Sequence, residues 1–165
     1  GSGVAAISTS TANIADIKKY MTLQTIGHDK INQLRHVKFL KDADGIKAHM
    51  KKQADIIRPK FEAVFEVLDK DLGGLGIATW TKPNGGYFIS FETLDGCAKA
   101  VVGKCKEAGV VMTGAGATFP YGKDPKDSNI RIAPTLPTPE ELSKAADLFV
   151  LCVKLVSVEK LLENK

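Results

Sequence analysis

The pair Gly73-Gly74 marks the point where the periodicity of this chain changes. Before it, Ile57, Phe61, Val64, Phe65, Leu68 and Leu72 recur three and four residues apart, the spacing of one helix face. The pattern extends from Asp44 to Leu72, and the two glycines stop it. Pro59 lies within it and predicts a kink or a restart, because proline removes a helix hydrogen bond. After the glycines the apolar period becomes two. Gly76 to Thr81 and Tyr87 to Phe91 read as strands joined by "KPNGG", in which Pro83 and Asn84-Gly85 are hairpin signals. A long one-sided helix followed at once by alternating strands must lay its apolar stripe on a sheet.

The rest of the chain extends that pattern. Thr93 is expected to cap a helix through Ala108, with Leu94, Cys97, Ala98, Val101 and Cys105 inward and Gly109 ending it. Val110 to Thr113 reads as a short strand, and residues 114–127, "GAGATFPYGKDPKD", as a long Gly- and Pro-punctuated loop whose Phe119 and Tyr121 argue for order. Asn129 to Ala133 alternates as a strand. "TLPTPEEL" then starts a helix, with Thr138 as N-cap, Pro139 at its first position and Glu141 at its third, running to about Leu162. Upstream, one helix is expected from an N-cap at Thr11 and another over Lys30 to Leu40. The order α-α-α-β-β-α-β-β-α describes an α+β two-layer sandwich, a small and mostly antiparallel sheet with helices on one face.

Composition narrows the class. The 165 residues suffice for one sizeable domain, and 44% apolar with 25% charged residues is ordinary for a globular protein. No apolar run approaches the roughly 20 residues of a membrane span, and the first residues lack a secretory pattern. Cys97, Cys105 and Cys152 form no CxxC pair and sit in apolar patterns, so buried free thiols in a reducing cytoplasm are expected. A net charge of +4 spread over helix faces argues against a nucleic-acid surface.

The residue most in need of explanation is Arg131, a permanent cation between Ile130 and Ile132. Alternation alone allows it to point to solvent. Its position beside the 114–127 loop equally allows its planar fork to clamp a small carboxylate. "KPNGGYFISF" permits close backbone approach to a ligand or merely a tight hairpin. Residues 25–36, "TIGHDKINQLRH", gather polar groups, but His28 and His36 stand eight apart and lack helical zinc spacing, so no metal is expected. There is no G-x-S-x-G, no P-loop, no G-x-G-x-x-G after a strand and no Cys/His nucleophile pair.

"KPNGGYFISF", "KEAGVVMTGAGATFPYG" and "NIRIAPTLPTPEEL", in that order, resemble the small C-terminal domain of fold-type-I pyridoxal-phosphate-dependent aminotransferases, in an aspartate aminotransferase-like subgroup. The resemblance implies that Arg131 binds the substrate α-carboxylate and that Tyr87 or Phe88 lines the substrate pocket. It implies a homodimer in which Lys30, Asn32 and Arg35 reach the neighbouring subunit's site. It also implies pyridoxal 5'-phosphate held mainly by a large N-terminal domain, with Ser2 a candidate contact. The family's Schiff-base lysine would precede Gly1, so residues 1–40 would link the two domains and 41–165 would be the small domain. No catalytic residue falls within the chain on that reading. The expected partners are an amino acid and a 2-oxo acid, with no nucleic acid and no membrane. A different class remains open: a free-standing regulatory module with a ferredoxin-like sheet that binds a carboxylate through Arg131. A dimerisation domain built on the 44–72 helix is a third reading, which leaves Arg131 unexplained.

Overall fold

A computed structural model describes residues 3–163. The described residues divide into two compact units, 3–53 and 54–163.

The first unit holds α1 (Thr11–Gln24), α2 (Lys30–Leu40) and the start of α3 (Ala43–Leu72). The N-cap of α1 is Ser10, whose side chain accepts the Asn13 N–H at 3.3 Å, rather than Thr11, which is already helical. Asp29 caps α2 in the same way, accepting from Asn32 N–H at 2.9 Å. Neither α1 nor α2 buries a residue.

The second unit carries the core. α3 continues as helix through Pro59 and buries Phe61, Val64, Val67, Leu68 and Leu72, much as its sequence period requires. β1 (Ala78–Trp80), β2 (Ile89–Thr93) and β3 (Asn129–Ile132) form an antiparallel sheet in the order β1-β2-β3. The hairpin signals are realised, but the connection spans residues 81–88, so Tyr87 and Phe88 lie in the loop rather than in β2. α4 (Ala98–Glu107) and α5 (Pro139–Glu163) pack against each other. α5 begins with the expected capping box: Thr138 N–H donates to Glu141 Oε2 at 2.8 Å, and Glu141 N–H to Thr138 Oγ1 at 3.3 Å. The carboxyl of Glu141 is lowered below its ordinary range, first by the Thr138 N–H.

Two expected elements differ. Thr93 does not cap α4, because its own N–H is drawn to Ser128 O at 2.8 Å and keeps it in the strand. Gly96, at φ 84°, turns the chain, and α4 starts at Ala98. Its N-terminus has no side-chain cap from Cys97; instead Asp127 accepts, through its carbonyl, the Ala98 N–H at 2.8 Å and, through Oδ1, the Lys99 N–H at 3.3 Å. Val110–Thr113 makes no ladder pairing, and Val110 N–H closes the helix end onto Cys105 O at 2.8 Å.

The core lies between one sheet face and the helices. Phe91 is fully buried, stacked on Trp80 at 6.0 Å and edge-on to Phe149 at 4.9 Å. Cys97, Cys105 and Cys152 are free and buried. Burial, and then the neighbouring Cys152 thiol, push the Cys105 thiol up to about 12. Among the described residues no helix is long and apolar enough to cross a membrane. Phe91→Ala should reduce unfolding free energy in urea by about 3–5 kcal/mol, while Leu151→Ala, on the exposed side of α5, should change it by less than about 0.5 kcal/mol.

Candidate functional site

Alternation gives β2 and β3 two faces. Ile89, Phe91 and Ile130 enter the core, while Ser90, Glu92, Asn129 and Arg131 occupy the opposite face. The register sets Ser90 opposite Arg131 and Glu92 opposite Asn129. Alternation therefore turns Arg131 away from the core, yet does not leave it in open water. The ring of Phe88 lies 4.5 Å from its guanidinium carbon, and Nε is buried without a hydrogen-bond partner. No described residue forms an ion pair with it.

Arg131 opens on a hollow of about 450 Å³ lined also by Thr81, Phe88, Ile89, Ser90, Ala117 and Thr118. A stacked ring returns about 0.5–2 kcal/mol to a guanidinium, but does not replace the hydrogen bonds lost on desolvation. The orphaned Nε–H and the planar fork suit a bidentate anion such as a carboxylate. No lysine lines this hollow, so its residues do not fit the Schiff-base end of an aldehyde cofactor. Among the described residues no three His, Cys, Asp or Glu cluster as metal ligands.

The 114–127 loop supplies Ala117 and Thr118, and its shape depends on Asp124. One oxygen of that carboxylate accepts the N–H groups of Ser128 and Asn129, each at 2.8 Å, and the other accepts Lys126 N–H at 2.9 Å. These bonds, the Asn129 N–H first, hold the Asp124 carboxyl below its ordinary range. Gly116, at φ 80°, lets the loop fold back, since a Cβ there would fall 2.6 Å from Gly122 O. The loop is ordered by this carboxylate rather than by the expected aromatic pair, for Tyr121 is 96% exposed.

Of the residues singled out from sequence, Arg131 and Phe88 come together, whereas Tyr87 is exposed and does not line the hollow. Lys30, Asn32 and Arg35 belong to the other unit. There Asn32 donates to Gly3 O at 3.0 Å and accepts from Arg35 at 2.5 Å, and Lys30 is exposed. Ser2 lies outside the described residues. Sequence reasoning missed Thr81, Ser90, Glu92, Thr118 and Asn129. The polar positions of "ISFET" and "NIRI" were a visible signal for three of them; the register that joins them was not.

A family model described as aspartate amino-transferase matches residues 1–165. A Mycolicibacterium smegmatis relative is 46% identical over the full chain, which covers 39% of its length. An aspartate aminotransferase of Corynebacterium glutamicum is 43% identical over 159 residues, with 96% of this chain and 37% of the relative covered. The chain thus spans about two fifths of these relatives. The crystal structure of an aspartate transaminase from Corynebacterium glutamicum superposes with TM-score 0.83, covering 92% of this chain and 36% of that one. A Thermus thermophilus α-aminoadipate aminotransferase, complexed with N-(5'-phosphopyridoxyl)-L-leucine, shares the fold at TM-score 0.70 and 17% identity, over 89% of this chain and 36% of that one.

The anchor at Asp124 has a definite pH dependence. A carboxyl lowered in the folded state contributes stability above its unfolded value, about 3.9, and that contribution is lost as pH falls through the lowered value. Hydrogen-exchange protection of the Ser128 and Asn129 amides should therefore persist from neutral pH down to about that unfolded value and fade below it. In Asp124→Ala it should be lost throughout. Equal protection in both proteins would contradict the anchor.

Proposed function

The chain belongs to the aspartate amino-transferase family, and from that premise we propose that it is the C-terminal part of a pyridoxal-phosphate-dependent aminotransferase, where it holds the carboxylate of the substrate. The parent moves an amino group between an amino acid and a 2-oxo acid. The observation that carries this reading is the guanidinium of Arg131, its Nε buried without a partner and its side chain open to a hollow of about 450 Å³. Arg131 takes the α-carboxylate through two parallel N–H bonds, which fixes the substrate's rotation and so the direction of its Cα–H bond. Phe88 walls the hollow with its ring 4.5 Å from the guanidinium carbon, which holds the fork in place for the ion pair. Both carboxylate-bearing species, amino acid and 2-oxo acid, use the same clamp.

Bound pyridoxal phosphate supplies the electron sink for such reactions. Its Schiff-base lysine and principal contacts lie in the remaining three fifths of the protein, a large N-terminal domain, with residues 1–40 as the link and 41–165 as the small domain. The chain alone is consequently silent. In a homodimer of the parent, Lys30, Asn32 and Arg35 stand at the neighbouring subunit's site, and the two cations favour an acidic substrate. Three buried free thiols accord with a reducing cytoplasm.

Arg131→Ala in the full-length protein should weaken amino-acid binding by on the order of 2–5 kcal/mol, read as KM and as a dissociation constant, while the bound cofactor keeps its visible spectrum. Unchanged KM and kcat would overturn the assignment. Arg131→Lys should restore little, because an ammonium lacks the fork.

A further inference from the structure

A guanidinium with no ion-pair partner and a buried, unpartnered Nε should take the nearest carboxylate of its own protein, and one is near. Glu92 lies on the same sheet face as Arg131, one step along the ladder. Ser90 faces Arg131 and Asn129 faces Glu92, so Arg131 and Glu92 are diagonal neighbours. Such pairs stand about 7–8 Å apart, within reach of long side chains. An ion pair between them would close the site to any other anion. Yet the two do not pair, and the reason is visible in the hydrogen bonds of Glu92.

Its Oε1 accepts from Asn129 Nδ2 at 2.5 Å and its Oε2 from Ser128 Oγ at 2.7 Å. The carboxylate has no proton to give, so the nitrogen end of the buried Asn129 amide must face it. That choice fixes every other bond of the amide. Its second Nδ2 hydrogen goes to Ser90 Oγ at 2.9 Å, and its Oδ1 accepts the hydroxyl of Thr118 at 2.6 Å. The Thr118 proton is thereby spent. Ser90, having accepted, keeps a proton that no described residue takes up, and it lines the hollow beside Arg131.

We infer that Asn129 is a positioning residue that holds Glu92 off Arg131 and leaves the Ser90 hydroxyl to donate to the same carboxylate that Arg131 binds. The inference rests on Arg131 as the carboxylate clamp. Asn129 touches no substrate; it acts through its three neighbours. It also ties β2 to the 114–127 loop, so the donors and the loop wall of the hollow move as one piece.

The test is isothermal titration of the full-length protein with succinate, a carboxylate with no amino or keto group, alongside melting temperatures. Asn129→Ala should raise the dissociation constant roughly tenfold, since the freed Glu92 competes for Arg131. Adding Glu92→Gln should recover most of that loss, which a purely structural defect would not allow. Ser90→Ala should weaken succinate roughly threefold, the scale of one neutral hydrogen bond. Wild-type binding by Asn129→Ala, or failure of Glu92→Gln to restore it, would overturn the inference, provided that Arg131→Ala loses succinate. If Asn129→Ala does not fold, Ser90→Ala decides, and wild-type affinity there overturns it. Succinate binding undiminished in Arg131→Ala would refute the clamp itself.

Discussion

The pairing of β2 with β3 is the constraint on which the rest of this molecule depends. With Ile89 opposite Ile132 and Phe91 opposite Ile130, the ladder seats its apolar residues in the core. The same register leaves Ser90 facing Arg131 and Glu92 facing Asn129 on the other side. A slip of one residue would exchange the faces, burying the guanidinium in the core and putting isoleucines in water. Packing energy thus enforces the arrangement of the polar face. Trp80 stacked on Phe91, with Phe149 edge-on to it, holds the register from the core side.

On the polar face the balance is electrostatic. The Phe88 ring lies against Arg131, and the buried Nε–H is costly to leave without an acceptor. The neighbouring carboxylates are each engaged elsewhere: Glu92 by Asn129 and Ser128, Asp124 by three backbone N–H groups, Asp127 by the start of α4. Local acids serve as scaffolding, and none of them pairs with the cation. The Asp127 contacts also explain why α4 forms without a cap from Cys97: the loop that shapes the hollow also caps the start of the helix.

Much of the fold was legible in the sequence because local periods and stop signals carried it. The α3 stripe, the α5 capping box and the antiparallel hairpin followed from residue spacing alone. The misread elements were those decided by distant partners. Thr93 looks like a helix cap, but Ser128, 35 residues away, keeps it in a strand. Val110–Thr113 has strand composition and no neighbour to pair with. At the site, Arg131 was conspicuous because a lone cation interrupts an apolar alternation. Asn129 and Ser90 were not, since small polar residues on a strand face are ordinary until the register shows what they oppose.

The most direct measurement is the 15N spectrum of arginine side chains in the full-length protein, with the Arg131 Nε signal identified by its disappearance in Arg131→Lys. Saturation with a 2-oxo acid should shift that signal and slow its hydrogen exchange, because the orphaned Nε–H gains a carboxylate acceptor. An Arg131 signal that stays in place while substrate is demonstrably bound would contradict the account.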